Sequence, residues 1–340
     1  MNRRWICNDV WMDILPSFGR PQLGLKMALL SPRFDALVDT HFNGKRELAL
    51  WRPITIRKDP VAAVPQLWVE IDDHNSVHFP LPDHSLPNKI RFKDLWIAYI
   101  DHFVIAFLRA NQQVFDKWND TNLTLRFFFA HNSVDEHPIW DVFARELWPI
   151  FETNVRHLRF CTGYDLDNLR RRISPTILTD ASIISIHSGV FPASIPDDGP
   201  NATACQALSK WLHTTGKDGQ PKQLYCMFAS AGDVNKFKEK FLNDTTSVQY
   251  KIQFSVYPKP TPIEPFELMN GRTNEKLILI KPSEDEWDRR WIMKRCQNGE
   301  AAAAVQWEDD EQNSSNLNNV HINLFDVICI GPFSPPEHQQ

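Results

Sequence analysis

The sequence is poor in glycine and contains none of the short motifs that usually mark a catalytic or nucleotide-binding site. Only 12 of its 340 residues are glycine, and the patterns GxxxxGK[S/T], GxSxG and HExxH are all absent. Glycine-rich phosphate cradles, α/β-hydrolase nucleophile elbows and zinc-peptidase helices depend on those patterns. These absences predict a protein that is not an enzyme.

Cysteine gives no sign of a metal site. No two of the cysteines are at CxxC spacing, and most of them lie in apolar runs, which is typical of buried free thiols. We therefore expect reduced thiols, an intracellular location in the cytoplasm, the nucleus or both, and neither a metal nor another cofactor. The cysteines are Cys7, Cys161, Cys205, Cys226, Cys296 and Cys329.

Long hydrophobic runs and an excess of positive charge are also missing. No apolar run approaches the roughly 20 residues that a membrane span needs, and Asn8, Asp9 and Asp13 interrupt any secretion signal after the basic start. The net charge of −5 and the pI near 6.2 argue against nucleic acid as the main partner. We expect neither a membrane nor a nucleic acid among the partners.

Charged clusters are present, but their context favours a solvated surface. The runs Asp72-Asp73-His74, Asp101-His102 and Asp135-Glu136-His137 lie beside turn-like residues, and neighbours on a strand point to opposite faces, so they rarely converge on one ligand. A hydrolase or nuclease stays open as an alternative built on them. The run Arg170-Arg171-Arg172 is interpreted as the solvated end of a helix that begins near Asp165.

Apolar spacing and proline positions predict three short helices in the first forty residues. Val10, Trp11, Ile14 and Leu15 recur at helical spacing, and Pro16 disfavours continuation. A second helix begins at Arg20-Pro21-Gln22 and carries the apolar run 23–30, and Ser31-Pro32 opens a third. A second helix with this many apolar residues must bury more than one face, either against the rest of the chain or against a partner.

The order and spacing of these residues resemble the F-box pattern, which runs Leu-Pro-x-Glu/Asp-apolar, an apolar helix, Leu, and apolar-Ser-x-Arg-Phe/Trp. The chain has Ile6-Cys7-Asn8-Asp9-Val10, then Leu23, then Leu29-Leu30-Ser31-Pro32-Arg33-Phe34. The main departure is Cys7, where the family usually has proline. The match covers about a tenth of the chain, and the pieces are specific only in combination.

The resemblance implies a substrate-recognition adaptor of a Skp–cullin–F-box ubiquitin ligase. Such a protein docks on a Skp-type adaptor, and through it on a cullin, and brings an unknown protein substrate to the conjugating enzyme without covalent chemistry of its own. Ile14, Leu29 and Leu30 could instead pack internally. The alternative function is a non-enzymatic interaction scaffold whose N-terminal helices cap the domain that follows. By motif position, the predicted adaptor contacts are Ile6, Val10, Ile14, Leu23, Leu29 and Leu30.

The predicted fold class is α+β or α/β. A three-helix F-box (1–44) is followed by an associated substrate-recognition domain (45–335). In its first part, residues 45–257, strand-like and helix-like runs alternate as in an irregular leucine-rich-repeat-like domain; a non-repetitive α/β domain is the alternative. Residues 258–335 predict an antiparallel β meander that ends with strands near 305–307 and 322–330.

One further segment supports this layout. Ala207–Leu212, leading into Gln223-Leu224-Tyr225, resembles the helix-then-strand signature of an associated domain in the expanded F-box families of nematodes. In those families an N-terminal F-box precedes a variable associated domain. The resemblance implies that this associated domain selects the target.

Overall fold

The computed structural model places helices and strands along most of the chain, and its residues divide into two compact units. The first unit comprises residues 1–119, 127–130 and 318–340, and the second comprises 120–126 and 131–317. The predicted mixture of α and β structure is confirmed. The structure describes residues 6–19, 22–41, 48–50, 53–70, 75–82, 85–86, 90–92, 94–115, 121–128, 138–180, 182–216, 219–256, 263–282, 289–299 and 318–325.

The described part of the first unit begins with helical segments, of which the second is not a regular α-helix. Helix α1 (Asn8–Ile14) runs into a 3₁₀ turn at Leu15–Ser17, where Pro16 ends it. The second segment is a wide π-type turn (Leu23–Met27) followed by a 3₁₀ turn (Ala28–Leu30), and helix α2 (Pro32–His41) follows. Their shared interior contains Leu15, Leu23, Leu25, Leu37 and Val38, all buried.

The strands of the first unit form two groups. Strand β1 (Leu48–Leu50) pairs in parallel with β5 (Ile90–Phe92). Strands β2 (Ile54–Lys58), β3 (Pro65–Glu70) and β4 (Ser76–Pro80) form an antiparallel meander. Strand β6 (Asp94–Ile97) pairs in parallel with β2, and β15 (Asn318–Phe325) in parallel with β6. Helices α3 (His102–Ala110) and α4 (Gln112–Phe115) follow β6.

The sheet of the second unit is parallel in its first five strands and antiparallel in its last three. Strands β7 (Thr121–Phe128), β8 (Val155–Phe160), β9 (Ser185–Ser188), β10 (Lys222–Ala229) and β11 (Tyr250–Val256) lie side by side in chain order. Strand β14 (Arg290–Gln297) pairs antiparallel with β11, and β13 (Glu275–Ile280) and β12 (Phe266–Asn270) continue as a meander.

Helices connect the parallel strands of the second unit. Right-handed crossovers between strands in sequential order place their helices on one face of a sheet. Accordingly Phe237 packs against Tyr250, and Phe191 against Phe254, on a face whose side chains are buried. The helices are α5 (Ile139–Val142), a π-type turn (Phe143–Leu147), α6 (Trp148–Phe151), α7 (Gly163–Arg172), α8 (Ile177–Asp180), α9 (Ala204–Leu212) and α10 (Ala231–Asn243).

Capping boxes fix where the three longest of these helices begin. The hydroxyls of Thr162, Thr203 and Ser230 accept hydrogen bonds from the third amide of α7, α9 and α10, and the side chains at those third positions bond back to the cap. Each box satisfies two backbone donors that a helix start leaves without an intrahelical partner. Helices α7, α9 and α10, which follow β8, β9 and β10, therefore each start at a defined residue.

Three predictions about the layout need correction or qualification. The segment near 322–330 was expected to close the C-terminal meander, but β15 lies in the first unit and pairs in parallel with β6. The predicted strand 305–307 lies outside the described residues. The predicted boundary between 44 and 45 lies within the first unit and stays a prediction. Among the described residues, no helix combines the length and apolarity needed to cross a bilayer.

Candidate functional site

The predicted adaptor contacts divide into surface and interior residues. Ile6, Val10 and Leu30 are 46%, 45% and 60% exposed, and Ile14 and Leu29 are half-buried. Leu23 is 1% exposed. In this conformation the side chain of Leu23 therefore belongs to the interior of the N-terminal helices and offers no surface to a partner. The motif position that suggested Leu23 as a contact is a packing position here.

Helix α1 buries none of its apolar side chains completely, and Val10 is exposed. None of its residues is fully buried, and Leu15, directly after it, is the first that is. The helix is joined to α2 by an edge-to-face contact between Trp11 and Phe34, whose ring centroids are 4.8 Å apart. Apolar residues that a short helix does not bury against its own unit are available to a second molecule.

Arg33 joins Ile6 and Asn8 to helix α2. Its guanidinium Nη2 donates to the carbonyl oxygen of Ile6 at 2.6 Å, and Nη2 and Nε donate to Asn8 Oδ1 at 2.8 and 3.1 Å. Cys7, the residue at the N-cap of α1, makes no side-chain capping bond. The Arg33 contacts thus fix the position of Ile6 although Cys7 provides no cap. We call the exposed set Ile6, Val10 and Leu30 the N-terminal surface.

The acidic–histidine runs do not form a site in the described residues. Asp101 caps helix α3, because its Oδ1 accepts the amide of Val104 at 2.9 Å. The runs at 72–74 and 135–137 lie outside the described residues. Where residues are described, no group of three or more His, Cys, Asp or Glu side chains could hold a metal ion.

A Ser–Lys–His group lies in the interior of the second unit. Lys240 Nζ donates to Ser209 Oγ at 2.5 Å and lies 3.3 Å from Nδ1 of His213. Burial lowers the pKa of Lys240 to about 8, and burial together with the Lys240 charge lowers the pKa of His213 to about 4. These are features of a nucleophilic site, but Ser209 is 0% exposed and a substrate cannot reach it. The group satisfies buried polar atoms between α9 and α10.

The cysteines of the described residues also give no sign of a reactive site. Cys7, Cys161, Cys205 and Cys226 are free thiols. Burial raises the pKa of the Cys226 thiol, which keeps it protonated and unreactive.

The side of the second sheet opposite its helices carries polar side chains, most of them half-buried, with Arg159 exposed and Ser185 buried. One cross-strand row is Arg159, His187, Tyr225 and Gln253, and the next is His157, Ser185, Gln223, Lys251 and Lys294. The rings of His187 and Tyr225 are stacked, with centroids 4.1 Å apart and planes 10° apart. Sequence reasoning did not find these rows, because they exist only once the strands are paired. We call these two rows the open face.

Comparison with known proteins adds no assignment. The chain matches no protein-family model, no curated protein and no solved structure. The two surfaces described above, one apolar and one polar, are therefore the basis for any functional proposal.

Proposed function

We propose that the chain is a non-enzymatic substrate-recognition adaptor of a Skp–cullin–F-box ubiquitin ligase, with a three-helix F-box near its start. The observation that carries the proposal is the N-terminal surface. Three apolar residues at F-box motif positions, Ile6, Val10 and Leu30, remain about half exposed on or directly before helical segments whose interior is buried. A few buried apolar anchors supply most of the energy of a protein interface.

The mechanism is proximity. The N-terminal surface docks on the Skp-type adaptor, a cullin joins that adaptor to the ubiquitin-conjugating enzyme, and the remainder of the chain holds the target. Holding a target lysine near the charged thioester raises its effective concentration, and no side chain of this protein takes part in bond formation. The alternation of strands and helices from β7 to β11 supports a leucine-rich-repeat-like part within the target-holding region.

The binding test uses the full chain and a purified Skp-type adaptor. We expect Val10→Glu combined with Leu30→Glu to abolish the binding measured by isothermal titration calorimetry, because the variant places two charges in an apolar interface. Val61→Glu is the matched control, since Val61 is 93% exposed in a turn of the same unit. Equal adaptor affinity for the double variant and the control rules the proposal out.

A second candidate function rests on Leu23. Its near-complete burial favours an interaction scaffold whose N-terminal helices pack only within their own unit. The same titration separates the two functions, because a scaffold of this kind shows no affinity for the adaptor, whereas an F-box protein binds it.

A further inference from the structure

Strand β12 forms the edge of the sheet in the second unit. It pairs with β13 on one side, and no strand of the described residues pairs with it on the other. Lysine, proline and bulges commonly keep such an edge from pairing with a further strand. The five residues of β12 include neither lysine nor proline, and its register with β13 has no shift. As far as the described residues extend, this edge is therefore available to a further strand.

The two faces of β12 differ in what they contact. Lys238 Nζ lies 4.0 Å from the centre of the Phe266 ring, and Asn270 Nδ2 donates to a carbonyl oxygen of α10 at 2.6 Å, so both strand residues face that helix. Alternate side chains of a strand share a face. Leu268, half-buried, therefore lies between them on the helix side. Met269, which is 44% exposed, lies on the other side, as does the one glutamate of the strand.

Helix α10 adds an exposed leucine beside this edge. Lys240, on one flank of the helix, contacts Ser209 of α9. Lys238 is on the opposite flank, over β12. Leu242 follows Lys238 by four residues, so it is on the same flank, and it is 45% exposed. Leu242 and Leu268 thus lie on the same side of the sheet edge.

A second copy of the same strand is complementary to β12. Antiparallel pairing centred on Leu268 aligns all five residues, because Leu268 is the middle one. Glu267 then lies opposite Met269 of the second copy, and no like charges face each other. In the same row, Lys276 of the second copy is two strand spacings, or roughly 10 Å, from Glu267, a gap that two long side chains bridge. A register centred on Glu267 would instead place two carboxylates opposite each other.

We propose that two copies of the chain associate through β12, antiparallel about a two-fold axis at Leu268, and so join their two sheets into one. Leucines lie nearest the axis, and Lys238, Glu267 and Lys276 surround them, which is the usual arrangement of an apolar centre and a polar rim. Closed two-fold dimers are the commonest soluble oligomers. The proposal goes beyond the proposed function and does not depend on the N-terminal surface.

The test is sedimentation equilibrium of the full chain between about 1 and 100 μM, the range in which small interfaces dissociate. We expect the 39.5 kDa monomer at the low end and a species of twice that mass at the high end. Met269→Glu places a glutamate opposite Glu267 of the second copy at both symmetric positions, so the Kd of the dimer should rise by about tenfold or more. Met269→Lys is the matched control, because a lysine there faces a carboxylate, and it should not raise the Kd.

A second measurement tests the position of the axis. Residues opposite each other in an antiparallel pair have Cα atoms about 4.5–5.5 Å apart, within the span of a disulfide. In Leu268→Cys, glutathione disulfide should oxidise the two facing thiols to an intermolecular disulfide while it is itself reduced to two thiols. The wild-type chain under the same conditions controls for the native cysteines and should give no such covalent dimer on a non-reducing gel.

Three outcomes overturn the proposal. A chain that stays monomeric at the highest concentration has no self-association at this edge. A dimer whose Kd is the same in the wild type and in Met269→Glu uses another surface, and an equal rise in Met269→Glu and Met269→Lys contradicts the register. Thermal unfolding of the variants checks that they are folded. The Val10→Glu, Leu30→Glu variant should dimerise normally, so that failure of adaptor docking and failure of dimerisation are separate results.

Discussion

Arg295 and Glu275 form an ion pair in the interior of the second unit. Arg295 Nη2 lies 2.6 Å from Glu275 Oε2, and both side chains are 0% exposed. Arg295 Nη1 also contacts Asp244 Oδ2 at 2.6 Å. Burial raises the pKa of Asp244, but the hydrogen bond and charge of Arg295 outweigh it and hold that pKa below its ordinary value. The guanidinium thus joins β13 and β14 to the end of helix α10.

Replacing Arg295 should destabilise the protein strongly. Arg295→Met leaves the carboxylates of Glu275 and Asp244 without their cation, and breaking a buried pair in this way costs roughly 3–5 kcal/mol. Urea unfolding at pH 7 measures the change. Lys276→Met is the control, because Lys276 pairs with Glu267 at 2.6 Å on the surface, where an ion pair contributes about 0–1 kcal/mol. Similar losses of unfolding free energy in the two variants would show that the buried ion pairs of Arg295 contribute no more than a surface pair.

Arg170 is buried, contrary to the interpretation of the arginine run as a solvated helix end. It does lie in the last turn of α7, but its guanidinium donates to the carbonyl oxygens of Pro175, Gly199 and Ala202. The next two arginines are exposed. The difference cannot be inferred from the local pattern, because two of the acceptors lie about thirty residues away along the chain.

Arg170→Lys should therefore lower the free energy of unfolding, although the substitution keeps the positive charge. Lysine cannot reproduce the planar set of donors, and each charged hydrogen bond contributes about 1.5–3 kcal/mol, so we expect a loss of roughly 2–3 kcal/mol in the free energy of unfolding. Arg171→Lys, at the neighbouring exposed position, should change it by less than about 0.5 kcal/mol. Thermal or urea unfolding of the two variants makes the comparison. If neither substitution changes the free energy of unfolding, the hydrogen bonds from Arg170 to the carbonyl oxygens do not stabilise the protein.

Local patterns predicted most elements of the fold but few of their partners. The alternating strands and the amphipathic helices follow from spacing that a short window contains. The choice of neighbouring strand does not follow from such a window. For that reason the prediction for β15 names the wrong group of strands, and the pairing of Lys251 with Lys294 was not predicted. Helix α10 and strand β11 were not predicted at all.

The N-terminal surface shows the same limit on a smaller scale. Leu23 and Leu30 lie in one apolar run, so the sequence could not separate a buried residue from an exposed one. A π-type turn at Leu23–Met27 followed by a 3₁₀ turn at Ala28–Leu30 changes the number of residues per turn within that run. Side chains consequently point in directions that a regular helical period does not give.

His187 should make folding stability depend on pH. Burial, with the charges of Arg159 and His157, lowers its pKa to about 3, while an unfolded histidine titrates near 6.5. Below pH 6.5 the unfolded chain therefore binds a proton that the folded chain does not bind until near pH 3. This contribution to stability is complete above pH 6.5 and is lost as the pH falls.

The variant His187→Phe keeps a ring beside Tyr225 and removes the titrating group. Between pH 7.5 and 5.5 we expect the wild-type chain to lose about 1 kcal/mol more unfolding free energy than the variant. His213 is also held neutral by burial, but it is common to both proteins and cancels in the difference. Urea unfolding at the two pH values gives the comparison. Equal losses would show that His187 titrates normally.

Arg33 should control the order of helix α1 more than the stability of the whole chain. Arg33→Met removes the hydrogen bonds to Ile6 and Asn8, which lie at the surface and contribute on the order of 1 kcal/mol. We expect faster amide hydrogen exchange in residues 8–14 and weaker binding to the Skp-type adaptor, with little change in global unfolding. Lys26→Met, at an exposed position of the preceding segment, is the control. Unchanged exchange in α1 would show that Arg33 does not hold this helix in place.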